Sequence, residues 1–227
     1  MKNLAIIPAR GGSKRIPRKN IKNFLGKPII AYSIEIALQS GLFDEIMVST
    51  DDDEIAKIAI QYGAKVPFMR SAKAADDYAT ITDVINEVLN MYCKNNQRFD
   101  NICCILATSP LITVEQLSSA YHKLIASDIL TSIYPIVPFS YPIQRSLKMD
   151  KDGYVKMNFP KHATTRSQDL EIMYHDAGAF YWHKVKSWKT GELVKGGFVL
   201  DEINVQDIDT ENDWKLAELK YSVLNKK

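Results

Sequence analysis

Apolar residues along the chain alternate between short continuous runs and longer stretches in which they recur every three or four positions. The runs at 4–8 and 46–49 contain no charged residue, which predicts buried β-strands. Between them, apolar residues at helical spacing follow Pro28 and stop before Gly41, which predicts a helix with a left-handed glycine cap. This order of strand, helix and strand is typical of parallel sheets that are covered on both faces.

The same alternation continues towards the carboxyl end. Cap residues at 51–53, Thr80, Thr113 with Gln116, and Glu211 predict the starts of four further helices. Apolar runs predict further strands at 66–69, 102–106, 129–136, 179–182 and 203–208. The pattern therefore predicts a mostly parallel, doubly wound α/β sheet.

Between 138 and 166 this rhythm stops. Three prolines and Gly153 separate short polar and aromatic pieces there, and no helical period extends through them. We interpret the segment as an insertion within a single domain that spans 1–227.

Composition restricts the functions that this fold can serve. The 227 residues include 29 Lys and Arg against 27 Asp and Glu, a formal net charge of +2, which disfavours a surface that tracks a nucleic acid. Cys93, Cys103 and Cys104 have no metal-ligand spacing, and the amino-terminal apolar run is too short for a signal peptide or a membrane span. We therefore expect a cytoplasmic, bacterial protein with no membrane partner and a local anion site.

The loop after the first strand is the clearest candidate for that anion site. It carries the cations Arg10, Lys14, Arg15, Arg18 and Lys19 beside a pair of glycines. Ligands of open α/β sheets bind beyond the carboxyl ends of the strands, where this loop lies, and glycines let backbone N–H groups approach a phosphate. Neither the P-loop spacing nor the dinucleotide spacing is present, so an ATPase and an NAD enzyme are disfavoured. The alternative is a solvated basic loop.

Two carboxylates near the end form the second candidate. Asp207 and Asp209 are two positions apart at the end of the predicted strand 203–208, so both would project to one face while Ile208 turns away. A carboxylate pair with substrate phosphates suits Mg²⁺. Alternatively, Asp209 or Thr210 caps the last helix. The acidic run at 51–53 favours capping over catalysis.

Several weaker candidates are polar or cationic residues near strand ends or among apolar neighbours. They are Arg70, Thr108, Ser109, Arg145, Arg166, His175 and Asp176. The arginines could hold acidic substrate groups by forked hydrogen bonds, and His175 could be an oriented base. Each alone could equally form a structural contact, and no catalytic Ser-His-Asp order or zinc spacing is evident.

Taken together, these residues resemble a known family. The motifs IPARGGSK (7–14), PRKN (17–20), VSTD (48–51), TSPL (108–111), RSQD (166–169) and DIDT (207–210) resemble, in order, the cytidylyltransferases that activate nine-carbon acidic sugars. The resemblance spans almost the whole chain. It implies a Rossmann-like fold of the nucleotide-diphospho-sugar transferase type, CTP as donor, a sialic-acid-type acceptor, and a CMP-sugar and pyrophosphate as products.

The resemblance also implies roles for individual residues. Arg10, Lys14 and Asp209 would be catalytic, and Asp207 with Asp209 would hold Mg²⁺, or Mn²⁺ in its place. The expected nucleotide-binding residues, with Asn20 facing the cytosine, are Ala9, Arg10, Gly11, Gly12, Ser13, Lys14, Lys19, Asn20 and Arg70. The expected substrate-binding residues are Thr108, Ser109, Gln144, Arg166, Gln168, His175 and Asp176. The insertion at 138–166 would contribute to a homodimer in which each subunit reaches towards its partner's sugar site.

Within the family, the chain most resembles the branch that acts on pseudaminic acid, through YPIQRSL (141–147), RSQDL (166–170) and YHDAG (174–178). Enzymes for N-acetylneuraminic acid share a Gln-Pro pair where this chain has Leu106 and Ala107, and an Arg where it has Ile112. An apolar Leu106 suits a sugar with fewer hydroxyls, because a site built to bond an absent hydroxyl leaves a buried polar group unpaired. Ala179 departs from the Gln expected in that branch.

Other functions stay open at this point. They are the synthesis of CMP-N-acetylneuraminic or CMP-legionaminic acid, another sugar nucleotidyl transfer with Kdo or with UTP, and binding of a nucleotide sugar without turnover. The carboxylate pair argues against a mere binder, since binding alone needs no metal pair. The general base is open between deprotonation at the metal and His175 acting through a water.

Overall fold

A computed structural model describes residues 1–225, which form a mixed α/β structure built on one large sheet. The strands are β1 (Asn3–Pro8), β2 (Asn23–Phe24), β3 (Lys27–Pro28), β4 (Glu45–Ser49), β5 (Asn101–Ile105), β6 (Ser132–Pro138), β7 (Leu147–Met149), β8 (Val155–Met157), β9 (Tyr174–Asp176), β10 (Phe180–Lys184) and β11 (Lys195–Val199). The helices are α1 (Ile29–Ser40), α2 (Asp53–Gln61), α3 (Ala72–Ala75), α4 (Ile81–Lys94), α5 (Val114–Ile125), α6 (Val185–Thr190) and α7 (Glu211–Leu224).

The large sheet has the strand order β11-β6-β10-β5-β1-β4, with β9 also paired to β6. Strand β1 is parallel to both of its neighbours, β4 and β5, and β11 is parallel to β6. Strand β10 runs antiparallel to β5 and β6, and β9 runs antiparallel to β6. The predicted doubly wound α/β sheet is confirmed, and within residues 1–225 it is a mixed sheet with three parallel and three antiparallel strand pairings.

Helices cover both faces of this sheet, and the strand residues divide between two cores. In β1, Ala5 and Ile7 pack on one side with α1 and α5, whereas Leu4 and Ile6 pack on the other with α4. The same alternation places Cys103 in the first core and Cys104 in the second, both buried. Adjacent residues of a strand face opposite sides, so a strand covered on both faces is apolar throughout.

The helix caps lie where the sequence predicts them. Gly41 ends α1 in the left-handed conformation, and Asp52 caps α2 by accepting hydrogen bonds from the N–H groups of Glu54 and Ile55. Thr80 and Thr113 form capping boxes at α4 and α5. These local signals depend only on neighbours in the chain, which explains why they are visible in the sequence.

Two predicted strands are wrong. Just before the segment 66–69, Lys65 forms an isolated bridge with Met47 of β4, and the ladder does not continue because Pro67 has no N–H. The segment 203–208 contains a 3-10 turn (Glu202–Asn204) followed by irregular backbone. In addition, β6 begins at Ser132 rather than at 129, since Ile129 is exposed.

The sequence prediction missed β11, which occupies the sheet edge beside β6. Gly196 and Gly197 pack closely at this edge: a Cβ on Gly197 would lie 2.5 Å from Cδ1 of Ile136, and one on Gly196 would lie 2.8 Å from Cδ1 of Leu130, so the tips of both side chains would have to shift. Glycine weakens the usual strand pattern, so close packing at this edge hides the strand from the sequence.

Residues 139–176, here called the arm, leave the sheet after β6 and return as β9. The arm contains the two-stranded sheet of β7 and β8 and several 3-10 turns. It begins one residue after the start of the insertion predicted at 138–166 and ends ten residues beyond the predicted end. Within residues 1–225, no helix is long and apolar enough to cross a membrane.

Candidate active site

The basic loop begins where β1 ends and is attached to the end of β4. Ala9 N donates to Ser49 O at 2.9 Å, and Gly11 N donates to Oδ1 of Asp51 at 3.0 Å. A Cβ on Gly11 would lie 2.8 Å from Oδ2 of Asp52, so the close approach of the loop to this carboxylate requires glycine. The loop is therefore held at the carboxyl edge of the parallel strands.

A crevice of about 420 Å³ opens beside this loop. One wall consists of the loop and the other of the start of α4 and the end of β5. Of the residues predicted to bind the nucleotide, the crevice is lined by Arg10, Ser13, Lys14, Lys19, Asn20 and Arg70. Thr108, predicted to bind the sugar, and the half-buried Leu106 lie in the same lining. The structure thus brings Arg70 to the cations of the basic loop, which lie more than 50 positions earlier in the sequence.

Two hydrogen bonds fix the inner part of the loop. Asn20 is buried, and its Nδ2 donates to the backbone oxygen of Arg10 at 2.9 Å. Lys19 Nζ donates to the backbone oxygen of Ile208 at 2.6 Å and lies 3.5 Å from Oδ1 of Asp209. Lys19 therefore connects the basic loop to the carboxylate pair.

Arg70 enters the crevice from the segment that follows β4. Its guanidinium is buried, and Nε donates to Oγ of Ser49 at 3.0 Å. Burial lowers the pKa of Arg70 below its usual value, with Asp51 acting in the opposite direction. An arginine has so high a starting pKa that it stays charged at neutral pH. Arg70 is thus a fixed, poorly hydrated cation that a phosphate or carboxylate can approach.

The carboxylate pair lies on irregular backbone in front of α7, not at the end of a strand. Ile208 is buried against Trp214, which leaves Asp207 and Asp209 on either side of an anchored residue. Thr210 caps α7 in a capping box with Asp213, so the capping role falls to Thr210 and not to Asp209. Asp213 also accepts a hydrogen bond from Asp209 N at 3.1 Å.

The electrostatics of this pair fit a cation. Asp209 Oδ1 lies 2.8 Å from the guanidinium of Arg15. The pKa of Asp207 is raised above its usual value, first by the protein that displaces water around it and then by the charge of Asp209. Within residues 1–225, no group of three or more potential metal-ligating side chains occurs. The donor set is therefore two hard carboxylates, which suits a Mg²⁺ ion that keeps waters and substrate oxygens as its other ligands.

The acidic run at 51–53 serves the fold, as predicted. Asp52 caps α2 and pairs with the guanidinium of Arg18. Hydrogen bonds from Arg18 lower the pKa of Asp52 to about 2. This ion pair also holds Arg18, a residue in the left-handed conformation, at the end of the basic loop.

The predicted sugar-binding residues divide into two groups. Thr108 lines the crevice, whereas the hydroxyl of the buried Ser109 donates to the backbone oxygen of Ala179 at 3.2 Å. The remainder of the set lies on the arm, and within residues 1–225 none of it lines the crevice: Gln144, Arg166, Gln168, His175 and Asp176.

Hydrogen bonds hold the groups of the arm in place. Nε2 of Gln144 donates to the backbone oxygen of Glu171 at 2.8 Å, and Arg166 pairs with Asp169 at 2.9 Å. Oδ1 of Asp176 accepts from Gly178 N at 2.7 Å and from the hydroxyl of Tyr181 at 2.8 Å. Gln168 is exposed.

His175 has a defined tautomer. Its Nδ1 lies 2.8 Å from the backbone oxygen of Asp176. Because a carbonyl oxygen can only accept, Nδ1 carries the proton and Nε2 of the neutral ring is left as an acceptor. The exposed His175 ring can therefore accept a proton from a water or a hydroxyl.

Sequence reasoning missed Asp77. Its carboxylate pairs with Arg10 at 2.9 Å and also with Lys14, although it is more than 60 positions away from both. The neighbouring Asp76 supplies its backbone oxygen to Arg10 at 3.1 Å. An acidic pair shortly before the cap of α4 is the only sequence signal, and it is indistinguishable from ordinary cap chemistry.

Comparison with known proteins agrees with this geometry. The sequence model of a family described as cytidylyltransferase matches residues 4–205, about nine-tenths of the chain. The chain belongs to the cytidylyltransferase family, and it is an enzyme of that class.

Individual members of the family differ in their sequence identity to this chain. The chain is 47% and 48% identical to pseudaminic acid cytidylyltransferases from two strains of Campylobacter jejuni subsp. jejuni, in each case over 98% of this chain and 97% of the relative. It is 36% identical to the CMP-N,N'-diacetyllegionaminic acid synthase of Legionella pneumophila, over 96% of this chain and 95% of the relative. The two Campylobacter enzymes are thus clearly more similar than the Legionella enzyme.

A solved structure supports the fold alone. A CMP:2-keto-3-deoxy-manno-octonic acid synthetase, complexed with CTP, superposes with a TM-score of 0.73 at 18% sequence identity, over 99% of this chain and all of the other. The two chains therefore share one fold.

Proposed function

We propose that the protein transfers CMP from CTP to the anomeric hydroxyl of pseudaminic acid, releasing pyrophosphate. The observation that carries this proposal is the identity of 47% and 48%, over 98% of the chain, to enzymes named for that activity. The cation-lined crevice at the carboxyl edge of the sheet supports a triphosphate donor.

In this proposal the basic loop binds the phosphates of CTP. Arg10 and Lys14 neutralise the β- and γ-phosphates, and the loop 9–14 offers backbone N–H groups and the hydroxyl of Ser13. Arg70, on the segment that follows β4, supplies a further fixed positive charge. Asn20, held by its bond to the backbone of Arg10, faces the base. Lys19 stands between the phosphates and the carboxylate pair.

The reaction is an in-line displacement at the α-phosphorus. The sugar hydroxyl forms the new P–O bond, the bond to the β-phosphate breaks, and pyrophosphate departs with the bridging oxygen. Positioning and charge neutralisation dominate such transfers, so Arg10 and Lys14 act mainly on the charge that develops on the leaving group. The hydroxyl proton is lost to a base, for which Nε2 of His175, through a water, is a candidate.

Asp207 and Asp209 would hold Mg²⁺, for which Mn²⁺ could substitute. Their two hard oxygen donors fit a divalent cation, as do the loss of surrounding water and the repulsion from Asp209, which together raise the pKa of Asp207. When bound there, the cation supplies a Lewis acid next to the α-phosphate and the acceptor hydroxyl. The bonds of Lys19 to Ile208 and of Thr210 to Asp213 would hold the backbone of both carboxylates beside Lys19, which lines the crevice.

We further propose that the working unit is a homodimer formed through the arm. The arm exposes an unusual number of large apolar side chains. They are Tyr141, Leu147, Met149, Tyr154, Val155, Ile172, Met173 and Tyr174. Its hairpin has strands of only three residues, and a two-stranded hairpin is barely stable alone in water. A second copy of the chain would cover this surface, and the arm of each copy would bring five predicted sugar-binding residues towards the crevice of the other. These residues are Gln144, Arg166, Gln168, His175 and Asp176.

The relatives favour pseudaminic acid as the acceptor. Similarity to enzymes that are named for other nine-carbon acidic sugars supports a second candidate, which is one of those sugars. The chain is 36% identical to a CMP-N,N'-diacetyllegionaminic acid synthase and 34% identical to an N-acylneuraminate cytidylyltransferase of Danio rerio.

We place the protein in the cytoplasm, where CTP is available and where its three free cysteines would stay reduced.

The test measures pyrophosphate release from CTP and Mg²⁺ with pseudaminic, legionaminic and N-acetylneuraminic acids side by side, and with ATP, GTP and UTP in place of CTP. We expect the highest kcat/KM with CTP and pseudaminic acid. A preference for N-acetylneuraminic or legionaminic acid would overturn the assigned acceptor. CTP binding without any pyrophosphate release would indicate a nucleotide-sugar binder instead.

A further inference from the structure

The segment between Arg70 and α4 crosses beside the crevice and is attached at both ends. At one end Ser71 caps α3, and its N–H donates to Oε1 of Glu87 on α4 at 3.0 Å. At the other end Thr80 forms the capping box of α4. Ala79 and Thr80 line the crevice itself. The turn between these anchors is therefore held over the basic loop.

This turn carries a negative charge into the basic loop. Asp77 pairs with Nη1 of Arg10 at 2.9 Å and with Nζ of Lys14, while Nη1 of Arg10 also donates to the backbone oxygen of Asp76 at 3.1 Å. The hydrogen bond from Lys14 first and that from Arg10 second lower the pKa of Asp77, so its carboxylate is ionised at neutral pH. One internal anion thus pairs with both cations that the proposed function assigns to pyrophosphate and offsets one of their two charges.

A phosphate and the Asp77 carboxylate cannot occupy the same positions around Arg10 and Lys14. A ligand whose β- and γ-phosphates bind Nη1 of Arg10 and Nζ of Lys14 competes with the Asp77 carboxylate for these donors. A ligand that places only an α-phosphate in the crevice need not do so. The carboxylate therefore opposes the binding of different ligands to different extents.

We propose, resting on the proposed function of the crevice, that Asp77 is a specificity-determining residue that competes with the pyrophosphate moiety for Arg10 and Lys14. It weakens the binding of CTP and of pyrophosphate and leaves that of CMP unaffected. After transfer, the carboxylate returns to the two cations and favours release of pyrophosphate. Breaking the two ion pairs costs binding free energy. A triphosphate offsets this cost best, because its several negative charges replace the single charge of Asp77.

Asp76 provides a matched control one position away. Its Oδ1 accepts from the N–H groups of Tyr78 and Ala79, at 2.8 and 2.6 Å, and so shapes the turn. Its side chain forms no ion pair with Arg10 or Lys14 within the described part of the chain. Asp76→Asn removes the same formal charge as Asp77→Asn while keeping an oxygen for those bonds.

The experiment measures dissociation constants of inorganic pyrophosphate, CTP and CMP by calorimetry, without acceptor sugar, for the wild type, Asp77→Asn, Asp77→Ser and Asp76→Asn. Loss of two exposed ion pairs predicts binding of pyrophosphate and CTP that is about three- to tenfold tighter in both Asp77 variants. CMP should change less than about twofold, as should every ligand with Asp76→Asn.

Unchanged or weaker pyrophosphate binding in both Asp77 variants would overturn this inference alone. Equal tightening for CMP, or the same effect from Asp76→Asn, would also overturn it, because it would indicate a general change of charge. Absence of CTP binding to the wild type would overturn the proposed function and this inference with it.

Discussion

The crevice and the arm are built in opposite ways. The basic loop follows β1, whose apolar residues Leu4 to Ile7 are fully buried, and the crevice walls are attached by hydrogen bonds to β4 and α4. The arm has strands of three residues, and its apolar side chains face outwards. In the proposed function, a single chain would therefore complete the nucleotide side, whereas the sugar side would depend on a surface that the chain does not cover itself.

This difference separates two kinds of failure. Damage to the crevice should affect chemistry and leave assembly intact, whereas damage to the outward face of the arm should affect assembly first. The predictions below use this contrast, beginning with the largest expected effect.

Asp209→Asn should have the greatest effect, because it removes one of two proposed metal ligands and keeps the size of the side chain. We expect kcat to fall about a thousandfold or more while CTP binding stays measurable. Excess EDTA should abolish turnover of the wild type in the same assay. Glu211→Gln, two positions away and paired with Lys22, is the control. Near-normal turnover at saturating Mg²⁺ would refute the metal assignment.

Lys14→Ala should come next. Loss of a cation that meets charge on the departing pyrophosphate should cost roughly 3 kcal/mol or more of transition-state stabilisation, about a hundredfold in kcat/KM. Lys57→Ala, an exposed lysine on α2, should be close to wild type. A loss below about tenfold would mean that Lys14 is a bystander.

Leu147→Asp tests the arm. A charge in the outward face of the hairpin should shift the protein from dimer to monomer in sedimentation experiments and should change CTP binding by less than about threefold. Leu219→Asp is matched, since Leu219 on α7 is 65% exposed and Leu147 is 61% exposed. If Leu147→Asp still forms a dimer, or if Leu219→Asp does not, the interface lies elsewhere on the chain.

The smallest effect concerns two histidines on consecutive strands. His183 on β10 is buried and bonded to Ser132, and burial lowers its pKa to about 4, whereas His175 on β9 is exposed. Between pH 6.5 and 4 the unfolded chain binds a proton at His183 that the folded chain does not, so stability should fall on acidification.

From pH 7 to pH 5, protonation of His183 in the unfolded chain should lower the free energy of unfolding by about 2 kcal/mol. Urea midpoints across this range should show a shallower pH slope in His183→Gln and an unchanged slope in His175→Gln. Equal slopes in the wild type and His183→Gln would contradict the assignment.

Local signals made most of the fold predictable. Caps such as Thr80 and Gly41 and the apolar run of β1 depend on near neighbours and were placed correctly. The strand predicted at 66–69 failed because Pro67 interrupts the ladder, and β11 was missed because its glycines are explained only by Leu130 and Ile136 across the sheet.

The same distinction holds for the site. The basic loop and the carboxylate pair stand out in the sequence because each is a local cluster of one charge. The pairing of Asp77 with Arg10 and Lys14 does not, because it joins residues more than 60 positions apart. The tautomer of His175 and the connection of Lys19 to Ile208 likewise depend on the folded backbone.

The most direct test of the contrast between crevice and arm is complementation between Lys14→Ala and Arg166→Ala, each first shown to be poorly active alone. If the arm of one chain serves the crevice of its partner, a mixed dimer contains one intact site. Random exchange of subunits should then restore about one quarter of the wild-type specific activity. Activity that stays at the level of the separate variants, although exchange is demonstrated, would contradict the account, because it would mean that each chain uses its own arm.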